Sequence, residues 1–111
     1  MRAVALGGGH GTAVALRALM RIADNVTGIV SVADDGGSSG ELRHVLGIPA
    51  VGDLRRCLGA TSSSDSPLAT QFEHRVVGSR HPLGNLVLAA ATLEEGNFER
   101  AVERVGFLLG C

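Results

Sequence analysis

The 111-residue sequence contains no lysine, no tryptophan and no tyrosine. Its 10 basic side chains are all arginine, so the chain can supply neither a Walker-type phosphate lysine nor a Schiff-base nucleophile. Phe72, Phe98 and Phe107 are the only aromatics, which removes the stacking platforms on which single-stranded nucleic acids are usually held. With 11 acidic residues against those arginines the formal net charge is -1, and no field of one sign draws in nucleic acid or an anionic membrane. Nucleic acid and membrane are therefore not expected partners. The two cysteines, Cys57 and Cys111, give neither a disulfide framework nor metal-ligand spacing and are expected as thiols in a reducing compartment. No apolar run approaches the ~18 residues that span a bilayer. The opening apolar run reaches Gly7 too soon for a signal-peptide core and has no small-residue cleavage site after it. Together these absences point to a soluble, cytoplasmic protein.

What is present is a globular composition, 45% hydrophobic, at a length that favours one core. Residues 2–6 form a short apolar run cut off by three glycines, the pattern of a strand buried on both faces of a parallel sheet. A helix is expected next, with Thr12 as its N-cap and Ala13, Leu16, Leu19, Met20 and Ala23 at helical spacing, ending at Asp24 and Asn25. The β-branched residues of 26–32 make a second strand, and one intervening helix makes a βαβ unit the natural connection. Gly36, Gly37 and Gly40, with Ser38 and Ser39 between them, read as a loop. A short helix stops at Gly47, and another is expected from Asp53 as N-cap, with Arg55 and Arg56 on a solvated face. Residues 61–67 read as a polar loop, followed by a helix from about Leu68 that ends before Gly78. Residues 83–93 read as a buried helix, and a last helix is expected after Asn97 as its cap.

Four segments could carry chemistry. Gly7-Gly8-Gly9-His10-Gly11-Thr12 joins the first strand to the first helix, where glycines let the backbone approach a ligand and free amides face an anion; phosphate is the expected occupant. Thr12 stands where the strict dinucleotide fingerprint requires a third glycine. The alternative is a glycine-rich turn with no ligand, and His10 is either a ligand or proton-transfer group or a solvated side chain. Asp34 and Asp35 follow the second strand, where acidic residues receive ribose hydroxyls or, through water, a divalent metal such as Mg²⁺; an Asx turn explains them otherwise. Gly37, Ser38 and Ser39 follow directly. In His81-Pro82-Leu83-Gly84-Asn85, Gly84 permits close backbone approach and Asn85 offers a donor and an acceptor, with plain helix capping as the alternative. In Gly52-Asp53-Leu54-Arg55-Arg56, capping explains Asp53, while an arginine beside a phosphate site has bidentate reach.

Laid end to end, Gly7-Gly8-Gly9-His10-Gly11, Val32-Ala33-Asp34-Asp35-Gly36-Gly37-Ser38-Ser39-Gly40, Gly52-Asp53-Leu54-Arg55 and His81-Pro82-Leu83-Gly84-Asn85-Leu86 resemble the gluconeogenesis factor family. This is the YvcK-type branch of the fold shared with 2-phospho-L-lactate transferases (CofD-like). The resemblance implies a Rossmann-like three-layer α/β fold with a parallel sheet, in which residues 1–111 are an N-terminal part of a single nucleotide-binding domain. It also implies a nucleotide-type small-molecule ligand, a UDP-sugar such as UDP-N-acetylglucosamine, and a regulatory role in central carbon metabolism and cell shape. The binding residues it implies are Gly8, Gly9, His10, Gly11, Thr12, Asp34, Asp35, Gly37, Ser38, Ser39, Asp53, Arg56, His81, Gly84 and Asn85. His10 replaces the family's usual threonine. The likeness further implies a polypeptide that continues past Cys111 and completes the sheet; without that continuation, residues 1–111 are expected to form homo-oligomers. The competing readings are a transferase-like enzyme, with Asp34 or Asp35 on a metal and His10 or His81 moving a proton, and an NAD-binding Rossmann protein.

Overall fold

A computed structural model describes residues 1–33, 36–75 and 77–111, with Gly9 by its backbone alone. The chain runs β1 (Arg2–Gly7), α1 (Gly9–Leu19), β2 (Asn25–Val30), α2 (Gly37–Leu46), α3 (Gly52–Thr61), α4 (Pro67–Gln71), α5 (Leu83–Glu95) and α6 (Phe98–Leu109). It is an α/β fold in which β1 and β2 pair in parallel, Ala5 opposite Gly28 and Leu6 opposite Ile29. The first strand, the first helix and the second strand thus form the expected βαβ unit.

Only one face of this sheet is covered. Ala5 is buried while Val4 and Leu6 are exposed, so the strand expected to be buried on both faces packs on one. The reason is local. α1 lies so close on the covered face that a Cβ at Gly28 would stand 3.1 Å from Leu16 Cδ1, and among the described residues no element covers Val4, Leu6 and Ile29 on the other. Two apolar clusters result. Ala5, Ala13, Leu16, Cys57 and Ala60 join the sheet to α1 and α3. Leu42, Val51, Leu58, Phe72, Leu88, Ala101, Val105 and Leu109 join α2, α3, α5 and α6. α3 contributes to both, so it fixes the sheet unit against the helical half.

Several expected boundaries shift. The Gly36–Ser39 stretch is not a loop: Gly36 caps α2, Gly37 takes a left-handed φ of 53°, and Ser38, Ser39 and Gly40 lie buried in the first turn. Thr12 is not a cap; Gly8 is, and Thr12 sits buried within α1. Asp53 is not a cap either, since α3 is capped at Val51 and Asp53 lies in its first turn. α1 ends at Leu19 rather than at Asp24 and Asn25, and α4 is only five residues long, capped by Ser66 Oγ accepting from the Ala69 amide. α6 matches its expectation, with Asn97 Oδ1 accepting from the Arg100 amide at 2.9 Å.

Candidate functional site

The carboxyl ends of parallel strands are where α/β folds bind ligands, and four expected segments converge there. Gly8 ends the turn after β1 and lies against α3: a Cβ at position 8 would stand 3.0 Å from Asp53 Oδ2. Asp53 in turn accepts from Arg56 Nη1 at 3.4 Å. The amino ends of α2 and α3 are tied together by Ser39, whose Oγ accepts from the Val51 amide at 3.0 Å and the Gly52 amide at 3.2 Å. These bonds supply the side-chain cap that α3 does not make for itself.

α5 enters the same place through Asn85, which is fully buried. Arg55 Nη1 donates to Asn85 Oδ1 at 2.8 Å, and Arg55 Nε donates to Glu73 Oε2 at 2.9 Å. A guanidinium only donates, so the Asn85 oxygen must face it and the amide nitrogen must face away. That nitrogen donates to Ser38 Oγ at 3.0 Å. Ser38 Oγ in turn shares a hydrogen bond with His81 Nδ1, 2.5 Å away, in which the imidazole tautomer sets which atom donates. Nε2 faces Glu41 Oε2 at 3.8 Å, a carboxylate that also pairs with Arg80 Nε at 3.2 Å. The result is one side-chain network in which Arg55 donates to Glu73 and to Asn85, Asn85 donates to Ser38, and Ser38 bonds with His81, spanning α2, α3, α5 and the segments before α5.

Gly36, Gly37, Ser38, Gly52, Arg55, Arg56, Arg75 and Asn85 surround an open polar cavity of about 220 Å³. Among the described residues a larger cavity, about 350 Å³, lies where α1 meets the start of β2, lined by Met20, Ala23, Val26 and neighbours. It lies away from every segment singled out above, and its polar groups, the Asp24 carboxylate, the Thr61 hydroxyl and the Cys111 thiol, include no cation. The polar cavity is the better ligand site because donors converge on it.

Arg55 is almost wholly buried, not on the solvated face expected for it. Burial holds its pKa below the ordinary guanidinium value; Glu73 pulls it back up, and the charges of Arg56 and Arg75 push it down. It remains a cation, as arginines in proteins do. Sequence reading did not single out Arg75, Glu73 or Glu41. For Arg55 a signal was available: its i−4, i−3 and i+3 neighbours Val51, Gly52 and Leu58 are all buried.

The remaining expected residues fall into three groups. His10 and Gly11 are exposed on the first turn of α1 and, like Gly8, do not line the polar cavity. Gly84 is buried by packing: a Cβ there would stand 2.7 Å from Arg55 Cγ and from the Phe72 carbonyl oxygen. Its bareness admits a side chain and a backbone carbonyl. Asp34 and Asp35 lie outside the described residues. Among the described residues no group of three His, Cys, Asp or Glu side chains could hold a metal ion. No described helix is long and apolar enough to cross a membrane, and neither cysteine is in a disulfide.

A parallel βαβ unit with a glycine turn, and helix amino ends gathered beside arginines at the strand carboxyl ends, define an α/β protein of the Rossmann-like kind. The chain belongs to the family described as 2-phospho-L-lactate transferase CofD, which it matches over residues 3–111. It is 50% identical over 115 aligned residues to a Mycobacterium leprae protein named "Putative gluconeogenesis factor", covering 96% of this chain and 32% of that protein. It is 45% identical over 107 residues to the Bacillus subtilis protein named "Gluconeogenesis factor", covering 93% of this chain and 34% of that one. A crystal structure of a UPF0052 family member from Bacillus halodurans superposes with a TM-score of 0.87 at 44% identity, covering 97% of this chain and 36% of that one. The chain thus spans about a third of the length of the relatives it matches.

Proposed function

We propose that this chain forms part of the ligand-binding end of a cytoplasmic regulatory protein of central carbon metabolism and cell shape that binds a nucleotide-sugar of the UDP type. The observation that carries the reading is the convergence of the amino ends of α2, α3 and α5 beside Arg55, Arg56 and Arg75 on one cationic, polar edge of a parallel sheet. Such an edge suits a ligand with phosphates at one end and hydroxyls at the other. The names borne by the relatives at 45–50% identity support the metabolic role. Asp34 and Asp35, directly ahead of α2 in sequence, are the proposed acceptors for sugar hydroxyls. Calorimetry of UDP-N-acetylglucosamine, NAD and a deazaflavin precursor against the full-length protein tests this. Saturable binding of the UDP-sugar alone is expected, and preference for either of the others overturns it.

One observation favours a second reading. Ser38 Oγ lies 2.5 Å from His81 Nδ1, and a hydroxyl paired with an imidazole is the arrangement of an activated nucleophile or proton carrier. A transferase-like enzyme would release nucleotide from such a ligand in the presence of Mg²⁺ and an acceptor, whereas the regulatory protein would not.

A further inference from the structure

We infer that the cavity bounded by Arg55, Arg56, Arg75, Ser38 and Asn85 is a seat for a phosphoryl dianion, separate from the glycine turn. This deepens the reading above by locating the phosphate, and rests on it only for where that phosphate comes from.

The charges argue against the glycine turn as the main seat. Asp53 Oδ2 stands 3.0 Å from where a Cβ of residue 8 would lie, so a carboxylate already faces that turn, and a second anion there would be repelled. On the far side of Asp53 the sign reverses. Arg56 leans on Asp53 with its side chain still 42% exposed. Arg75, also exposed, bonds through Nη1 to the neutral carbonyl of Arg80. Arg55, between them, is tied to Glu73, which is itself half exposed to water. Three guanidiniums thus edge one cavity of about 220 Å³, large enough for a phosphoryl group with some water.

The geometry also orders the donors. Glu73 and Asn85 hold Arg55 in place, so its fork is fixed before any ligand arrives. Arg56 and Arg75 are free to adjust from the rim. Ser38 stands at the second position of α2, where the first-turn amides and helix dipole add to the same field. Three guanidiniums around one cavity match a doubly charged phosphate better than a singly charged carboxylate or chloride, and their forks suit its oxygens.

Two sources share this chemistry: the diphosphate of a nucleotide-sugar, and a separate small phosphorylated metabolite. Titration of the full chain with inorganic pyrophosphate by calorimetry reads the seat directly. Saturable binding is expected, weakened at least tenfold in Arg56→Gln/Arg75→Gln. The matched variant Arg17→Gln/Arg21→Gln, which removes the same charge from the exposed side of α1 and the turn after it, is expected to bind as the parent does. Both variants change only exposed or partly exposed side chains, and circular dichroism reports that they remain folded. Competition between UDP-N-acetylglucosamine and pyrophosphate assigns the seat to the nucleotide's own phosphates, and simultaneous binding assigns it to a separate phosphorylated molecule. The seat is overturned if the parent shows no pyrophosphate binding, if Arg56→Gln/Arg75→Gln retains it, or if both double variants lose it equally. Because pyrophosphate carries no base or sugar, failure of UDP-sugar binding leaves this result readable.

Discussion

Arg55 Nη1 meets Asn85 Oδ1 at 2.8 Å inside the protein, and this one bond fixes the orientation of the Asn85 amide, whose nitrogen then donates to Ser38 Oγ. The buried guanidinium is thus a positioning group for the site as well as a cation. Arg55→Met keeps the length of the side chain but leaves the Asn85 oxygen buried without its donor, a loss of about 2 kcal/mol. Chemical denaturation is expected to show that loss with an unchanged m-value. Arg55→Lys is expected to recover little, because one ammonium cannot satisfy Glu73 and Asn85 with the geometry of the fork.

Gly84 and Gly11 are expected to respond oppositely to the same substitution. A Cβ at Gly84 would press on Arg55 Cγ and the Phe72 backbone, whereas one at Gly11 meets nothing within 4 Å. Gly84→Ala is expected to cost about 1–3 kcal/mol through overpacking. Gly11→Ala, in the first turn of α1, is expected to be neutral or stabilising by up to about 1 kcal/mol. Thermal melts of the two variants check both.

Asp34→Asn/Asp35→Asn is expected to weaken UDP-sugar binding while far-ultraviolet circular dichroism stays that of the parent. Unchanged affinity would remove the acid pair from the site.

The uncovered sheet face makes a prediction about association. Val4, Leu6 and Ile29 are 60%, 72% and 55% exposed on adjacent strands. A patch of this kind on a soluble chain is normally covered by protein. Residues 1–111 alone are expected to bind a hydrophobic dye and to self-associate in sedimentation. A polypeptide of the relatives' full length is expected to do neither. Dye-free, monomeric behaviour of residues 1–111 would contradict the reading of this face.

The two thiols are expected to differ in reactivity. Burial, reinforced by the Asp53 carboxylate, raises the Cys57 pKa above the ordinary thiol value. Only the thiolate is nucleophilic, so a raised pKa leaves less of the reactive form at a given pH and moves the onset of alkylation to higher pH. Iodoacetamide labelling followed by mass spectrometry is expected to modify Cys111, which is exposed, well before Cys57.

The elements with a clear apolar period were legible in the sequence. β1, β2, α5 and α6 stand within a few residues of expectation because apolar runs bounded by glycine or polar residues mark the first three and a one-sided apolar stripe marks the last. α2 was not legible at its start: Gly37, Ser38, Ser39 and Gly40 carry no apolar stripe, and what stabilises that turn is the distant tie from Ser39 to the amides of α3. Thr12 and Asp53 have the side chains of caps but lie within the first turn of their helices, since Gly8 and Val51 hold the capping positions. The segments of the site were recognisable from their glycines and polar residues. Their division of labour was not. Only the fold shows that Gly84 clears space for Arg55, that Ser39 is a structural tie, and that Arg75 comes to the cavity from a segment without periodicity.

The most direct test of the central claim is a ³¹P NMR titration of UDP-N-acetylglucosamine with the full-length protein and Mg²⁺. Both diphosphate resonances are expected to shift or broaden saturably, with no free UDP appearing over hours. Resonances that stay in place at saturating protein would contradict nucleotide-sugar binding, and steady growth of a UDP signal would contradict the regulatory reading in favour of an enzyme.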